Sequence, residues 1–190
     1  QRTIIGLGLI PGVLTGTAIL PSELRLVASP LTVLTSMFLH ASWLHLLGNL
    51  LYLWIFANNV EDRLGHLGFM VFYLASGAAA AAAQILPDPT SPIPMVGASG
   101  AISGVLGAYL VFFPRARVVV FIPISFLLLH EIRAFWLLAI WFGLQLVSAV
   151  AMPAGAGVAW WAHVGGFVAG VTMALPLRHR YRHRGRGPWG

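Results

Sequence analysis

Four side chains in this sequence have the types and spacing that acyl transfer requires: Ser99, His163, His45 and Asn49. Ser99 lies in Gly97-Ala98-Ser99-Gly100-Ala101-Ile102-Ser103-Gly104, which follows a Pro-rich loop and opens an apolar run lasting to Phe113. A serine hydroxyl becomes a useful nucleophile when an imidazole takes its proton, and the tetrahedral intermediate then needs hydrogen-bond donors for its oxyanion. His45 and Asn49 are four residues apart, hence on one face of a helix, and His163 stands in a third apolar segment. Taken singly, each residue has a plainer reading. Ser99 would cap a helix whose small residues form a packing face, and each histidine would bridge two helices. The combination in three apolar segments is what points to chemistry, because polar groups at membrane depth are expensive and mark functional sites. No Asp or Glu falls inside an apolar segment, so the chemistry expected is that of a Ser–His dyad without a third carboxylate. A zinc site built from His40, His45 and His163 would lack the usual carboxylate and the His-Glu-x-x-His motif, so no metal is expected.

The elements that must hold these residues are membrane helices. The chain is 58% hydrophobic and 8% charged, with mean hydropathy +0.85, and several of its apolar runs approach the ~20 residues needed to cross a bilayer. An all-α, polytopic helix bundle follows, with the lipid bilayer as its first partner. All eleven basic residues are arginines, and Arg178, Arg180, Arg182, Arg184 and Arg186 crowd the C-terminal tail. Beside a membrane helix such a run marks the cytoplasmic side rather than a nucleic-acid site. The absence of cysteine excludes disulfides and thiolate chemistry. Nothing in the sequence sets an oligomeric state.

Three regions are expected: an irregular segment with an external loop (1–34), a membrane domain (35–177) and a basic tail (178–190). Helices are expected over 42–59, with Ser42 as N-cap, and over 66–86, 99–113, 135–151 and 158–177, about five spans in all. Glu61-Asp62-Arg63-Leu64-Gly65 reads as a charged turn ending in a Gly cap, and 118–129 as an interfacial stretch broken by Pro123. With the arginine tail inside, the starts of 42–59, 99–113 and 158–177 all lie outside. Phe135, Trp136 and Trp141 read as lipid-facing or interfacial aromatics.

Depth ties the segments together. A helix over 99–113 reaches only about 22 Å at 1.5 Å per residue, against a hydrocarbon core of about 30 Å. Anchored by Arg115 and Arg117 at one surface, its Ser99 end stops roughly 8 Å short of the other. The Pro-rich loop must dip inward to meet it, which is tolerated only where protein or a water-filled cavity surrounds the backbone. Asn49 and His163 fall roughly 7–10 Å down their own helices, at a matching depth.

The sequence also resembles the rhomboid family of intramembrane serine proteases. Gly97-Ala98-Ser99-Gly100 is similar to the family's Gly-x-Ser-Gly nucleophile motif, and His45-Leu46-Leu47-Gly48-Asn49 to its His-x-x-x-Asn motif. Ala162-His163-Val164-Gly165-Gly166 resembles the motif of the family's catalytic histidine, with Gly166 and Gly170 spaced to pack on the serine helix. His40 and Val60-Glu61-Asp62-Arg63-Leu64-Gly65 resemble further family features. The resemblance implies that Ser99 is the nucleophile and His163 the general base, with His45, Asn49 and the Ser99 N–H as the oxyanion hole. It implies an endopeptidase that cleaves transmembrane or membrane-adjacent segments of other proteins without a cofactor, with substrate entering between helices and Phe135, Trp136 and Trp141 as candidate gate residues beside their lipid-facing reading. The arginine tail suits a bacterial inner membrane, with the C-terminus cytoplasmic.

The sequence departs from the family's pattern twice. Some members place Tyr four residues after the nucleophile, packed on the histidine, where this chain has Ser103, so His163 must be oriented from elsewhere. The family core has six helices; the first would precede Gly6 and is expected upstream of Gln1. Two other classes compete with a protease: a rhomboid-like protein that binds or escorts membrane clients without cutting them, for which Ser99 and His163 would be superfluous, and a small transporter, which would carry charges along a path.

Overall fold

The structure, a computed structural model, describes residues 1–121, 129–152 and 157–178. Short helices α1 (Arg2–Leu7), α2 (Pro11–Leu14) and α3 (Thr32–Thr35), together with single 3-10 turns, lead into five longer helices. These are α4 (Trp43–Leu64), α5 (His66–Ile85), α6 (Ser99–Phe112), α7 (Ala134–Ala151) and α8 (Trp160–Ala174). Between α6 and α7 stands an antiparallel pair, β1 (Arg117–Phe121) and β2 (Leu129–Arg133), in the register Arg117↔Arg133 to Phe121↔Leu129.

α6 is the central post. Every residue from Gly100 to Tyr109 is buried, which its run of Gly, Ala and Ser allows by letting neighbouring backbones come close. A Cβ at Gly166 or Gly170 of α8 would strike the backbone oxygen of Gly100 or Gly104, and one at Gly104 would strike Ser76 of α5. The α6–α8 contact is therefore backbone against backbone over a full turn. Below it Phe56, Tyr109, Leu138 and Phe167 join one apolar core, with the Phe56 and Tyr109 rings edge to face at 5.0 Å.

This packing yields a direct expectation. Gly170→Val cannot be housed by a rotamer change, since what it meets is the Gly104 backbone. It should lower the thermal midpoint in detergent by an amount equivalent to about 1–3 kcal/mol and separate Ser99 from His163. The exposed Val168 of the same helix provides the control, with Val168→Leu leaving the midpoint in place. A Gly170→Val midpoint equal to that of the parent would show that the helices are not in backbone contact.

Helix α4 starts where expected, the Ser42 hydroxyl accepting the His45 backbone N–H at 3.1 Å. It runs past residue 59 to Leu64, because Glu61, Asp62 and Arg63 continue the helix instead of forming a turn. Arg63 lies over the Phe113 ring, 5.0 Å from its centre, a cation–π contact that favours the extra turn. Gly65, with φ +73° and ψ 160°, then reverses the chain straight into α5, in a backbone region that only glycine enters readily.

Five spans were expected. Among the described residues, three helical stretches are long and apolar enough to cross a membrane: 66–85, 134–151 and 160–177. α4 meets the test only together with the helical stretch 22–38, from which it is bent by 78°. α6, with 14 residues, is short of a span, as its length predicted.

The stretch 118–129 is corrected where it is described. Val118 to Phe121 form a strand rather than an irregular interfacial segment, paired to β2 and tied by an ion pair of 2.9 Å between Arg117 and Glu131. Val118 faces inward and Val119 and Phe121 outward, the alternation proper to a half-buried strand. Pro123 and the rest of 122–128 lie outside the described residues, as do most of the loop 152–157 and the basic tail after Arg178.

The N-terminal segment is more ordered than expected. Leu9 and Met95 exchange both backbone hydrogen bonds (3.0 and 2.7 Å), the Gly12 N–H donates to Ser91 O (2.9 Å), and Thr15 Oγ1 donates to Pro89 O (2.7 Å). In the Pro-rich loop that descends to Ser99, backbone groups of Pro89, Ser91 and Met95 are thus met by protein, as irregular chain at depth requires.

Candidate active site

Ser99 is the first residue of α6, with Ala98 in the cap position. Its hydroxyl caps nothing. Instead Ser99 Oγ lies 2.8 Å from His163 Nε2. His163 sits in the first turn of α8, and its other ring nitrogen, Nδ1, lies 2.7 Å from Oε1 of Gln145 on α7. An amide oxygen only accepts, so this contact fits a neutral ring with the proton on Nδ1 and with Nε2 accepting from the Ser99 O–H. The chain Gln145–His163–Ser99 therefore draws on three helices and runs in the direction that a proton leaving Ser99 would take.

The approach to Ser99 is shaped by Gly97, whose φ is +127°. A Cβ placed there would come within 2.7 Å of His45 Cε1 and 3.7 Å of Ser99 Oγ. Only glycine suits both the backbone and the space, and the contact shows that the His45 ring borders the same spot as the Ser99 hydroxyl. The Gly97 N–H is held by Ser36 O at 2.9 Å. His40 packs edge-on against His45, ring centres 5.1 Å apart. Asn49, one turn along α4 from His45, is buried, and its Nδ2 has no hydrogen-bond partner among the described residues. By helix geometry the first N–H groups of α6 have no intrahelical acceptor either. Asn49 Nδ2 on α4 and the N–H groups at the start of α6 are thus donors that an anion beside Ser99 could use.

Not all of the residues weighed in the sequence gather at Ser99. His40, His45 and His163 form no group able to hold a metal ion among the described residues. Phe135 and Trp136 stand exposed beside the hairpin, roughly 14 Å from Gln145 along α7 at 1.5 Å per residue, away from Ser99. Trp141 turns inward, its ring 6.2 Å from His163 and 6.0 Å from Phe167. Two glutamines escaped the sequence reading. Gln145 is one. The other, Gln84 at the end of α5, accepts the Ala162 backbone N–H at 3.1 Å and so caps the start of the His163 helix from outside. The only sign of either was an uncharged polar residue in an otherwise apolar run. A small pocket beside Ser99 is lined by Met37, Gly77, Ala80, Ala101 and Ala162.

A sequence model of the Rhomboid domain matches residues 28–180. The chain belongs to the rhomboid family. It is similar to the yeast Rhomboid protein 1, mitochondrial, 27% identical over 179 residues, covering 86% of this chain and 48% of that protein. It is similar to the Rhomboid protease GluP of Bacillus subtilis, 42% identical over 78 residues (41% of this chain, 15% of the relative). The human Presenilin-associated rhomboid-like protein, mitochondrial, is 32% identical over 102 residues (52% and 26%). The chain spans about half the length of the yeast rhomboid, and its matches to the other two cover smaller shares. Membership of the rhomboid family and the apolar helices together make it an integral membrane protein.

Proposed function

We propose that this rhomboid is an intramembrane serine endopeptidase whose substrates are transmembrane or membrane-adjacent segments of other proteins. The observation that carries the reading is the 2.8 Å contact of Ser99 Oγ with His163 Nε2 at the buried end of α6. Ser99 Oγ attacks the carbonyl carbon of the scissile bond while His163 Nε2 takes its proton. The oxyanion is met by the Ser99 N–H, by the Asn49 amide and by His45. The intermediate collapses as the C–N bond breaks and His163 returns the proton to the leaving amine, leaving an acyl-Ser99. Water, deprotonated by the same imidazole, releases the second product. No carboxylate is needed for orientation, because an amide oxygen occupies the far side of the ring.

The relatives include mitochondrial proteins beside one from a bacterium, so the bacterial inner membrane expected from the arginine tail gives way to a broader placement. We place the tail on the positive-inside face of its membrane and the Ser99 end of α6 toward the other.

The test is cleavage of a model transmembrane segment by the purified chain in detergent, with both new termini identified by mass spectrometry. Cleavage unaffected by EDTA is expected. Stable binding of the segment without cleavage would favour the client-escort reading, and cleavage abolished by EDTA and restored by zinc would favour a metal.

A further inference from the structure

We propose that Gln145 is the positioning residue of His163, its amide oxygen holding the imidazole as the Nδ1–H tautomer and so aiming the Nε2 lone pair at the Ser99 hydroxyl. The inference rests on the dyad reading above. Gln145 belongs to the buried stripe of α7 with Leu138 and Ala149, where an apolar residue would be the ordinary choice. It is 8% exposed, and a buried amide is costly unless it is hydrogen-bonded. Its oxygen finds that bond at His163 Nδ1, 2.7 Å away.

The remaining neighbours of the ring restrain it without choosing its tautomer. Trp141, one turn before Gln145, flanks the imidazole at 6.2 Å with the planes tilted by 35°, and Trp160 meets it edge to face at 6.1 Å. Two aromatic walls limit rocking, but neither is hydrogen-bonded to a ring nitrogen, so neither sets which nitrogen carries the proton. Ser103 does not contribute, because its hydroxyl donates to the Ser99 carbonyl at 2.7 Å. Gln145 is thus the group that distinguishes the two nitrogens. Its amide oxygen accepts from Nδ1–H in the neutral ring and in the imidazolium alike, so the ring keeps its aim while the proton passes through Nε2.

The experiment compares Gln145→Met, which keeps length and removes the acceptor, with Gln145→Glu, which restores an acceptor oxygen. The purified full chain is used in detergent, with kcat and KM measured on a transmembrane substrate. In parallel, 15N NMR of the histidine-labelled protein reads the His163 tautomer, assigned by difference from His163→Ala. Gln145→Met should lower kcat about 10²-fold with KM changed by less than about 2-fold, as expected when a catalytic histidine loses its orienting partner. Gln145→Glu should recover kcat to within about tenfold of the parent, and the parent spectrum should show the proton on Nδ1. Parental kcat in Gln145→Met, or a parent proton on Nε2, would overturn the proposal. Should Gln145→Met fail to fold, Gln145→Glu and the parent spectrum decide; a Gln145→Glu as slow as His163→Ala would also overturn it. A parent that neither cleaves nor reacts at Ser99 would instead refute the dyad, and the tautomer would still report whether Gln145 governs the ring.

Discussion

Ser99→Ala and His163→Ala should each remove cleavage of a transmembrane substrate, by about 10⁴–10⁶-fold, because a nucleophile and its base act as one unit and losing either forfeits nearly all of the effect. The fold should survive both. Ser99→Ala gives up one hydrogen bond, about 0.5–1.5 kcal/mol, and leaves the glycine contacts of α6 with α8 intact. His163→Ala opens space between Trp141 and Trp160 but touches no backbone contact. Thermal midpoints measured beside the rates separate loss of chemistry from loss of structure. Cleavage at the parental rate in both variants would place the chemistry elsewhere.

The second large effect is expected at Asn49. Its Nδ2 is buried with no partner among the described residues, so the ground state gains little from it and an oxyanion could gain much. Asn49→Ala should lower kcat by about 10²–10³-fold, roughly 3–4 kcal/mol, with KM nearly unchanged. A buried donor left unsatisfied costs about 1–3 kcal/mol, so the same variant should melt no lower than the parent. If Asn49 merely bridged two helices, the reverse would hold: a lower midpoint with near-normal turnover.

How much of this was legible in the sequence depended on contrast. Ser99, His163, His45 and Asn49 stood out because polarity is rare in apolar segments, and the short reach of α6 from its arginine end set the depth of Ser99. Gln145 carried the same contrast, yet a lone glutamine in an apolar helix names no partner until α7 and α8 are placed side by side. The end of α4 is not legible because Glu61-Asp62-Arg63 before a glycine looks like a turn, although Glu and Arg are good helix formers and only Asp is a poor one. The β1–β2 pair was overlooked for a related reason. Strands of five residues beside a proline give too short an alternation to separate from an interfacial loop, and the pairing across Arg117 and Glu131 is a long-range fact. The glycine ladder between α6 and α8 was visible as spacing in Gly166 and Gly170; that it meets the Gly100 and Gly104 backbone oxygens required the coordinates.

The central claim is that Ser99 is a nucleophile activated by His163. It is tested most directly by treating the folded chain in detergent with a serine-directed fluorophosphonate and locating the adduct by peptide mass spectrometry. A single adduct is expected at Ser99, absent in Ser99→Ala and formed far more slowly in His163→Ala. No adduct at Ser99 in folded protein that still cleaves its substrate, or an adduct formed as fast without His163, would contradict it.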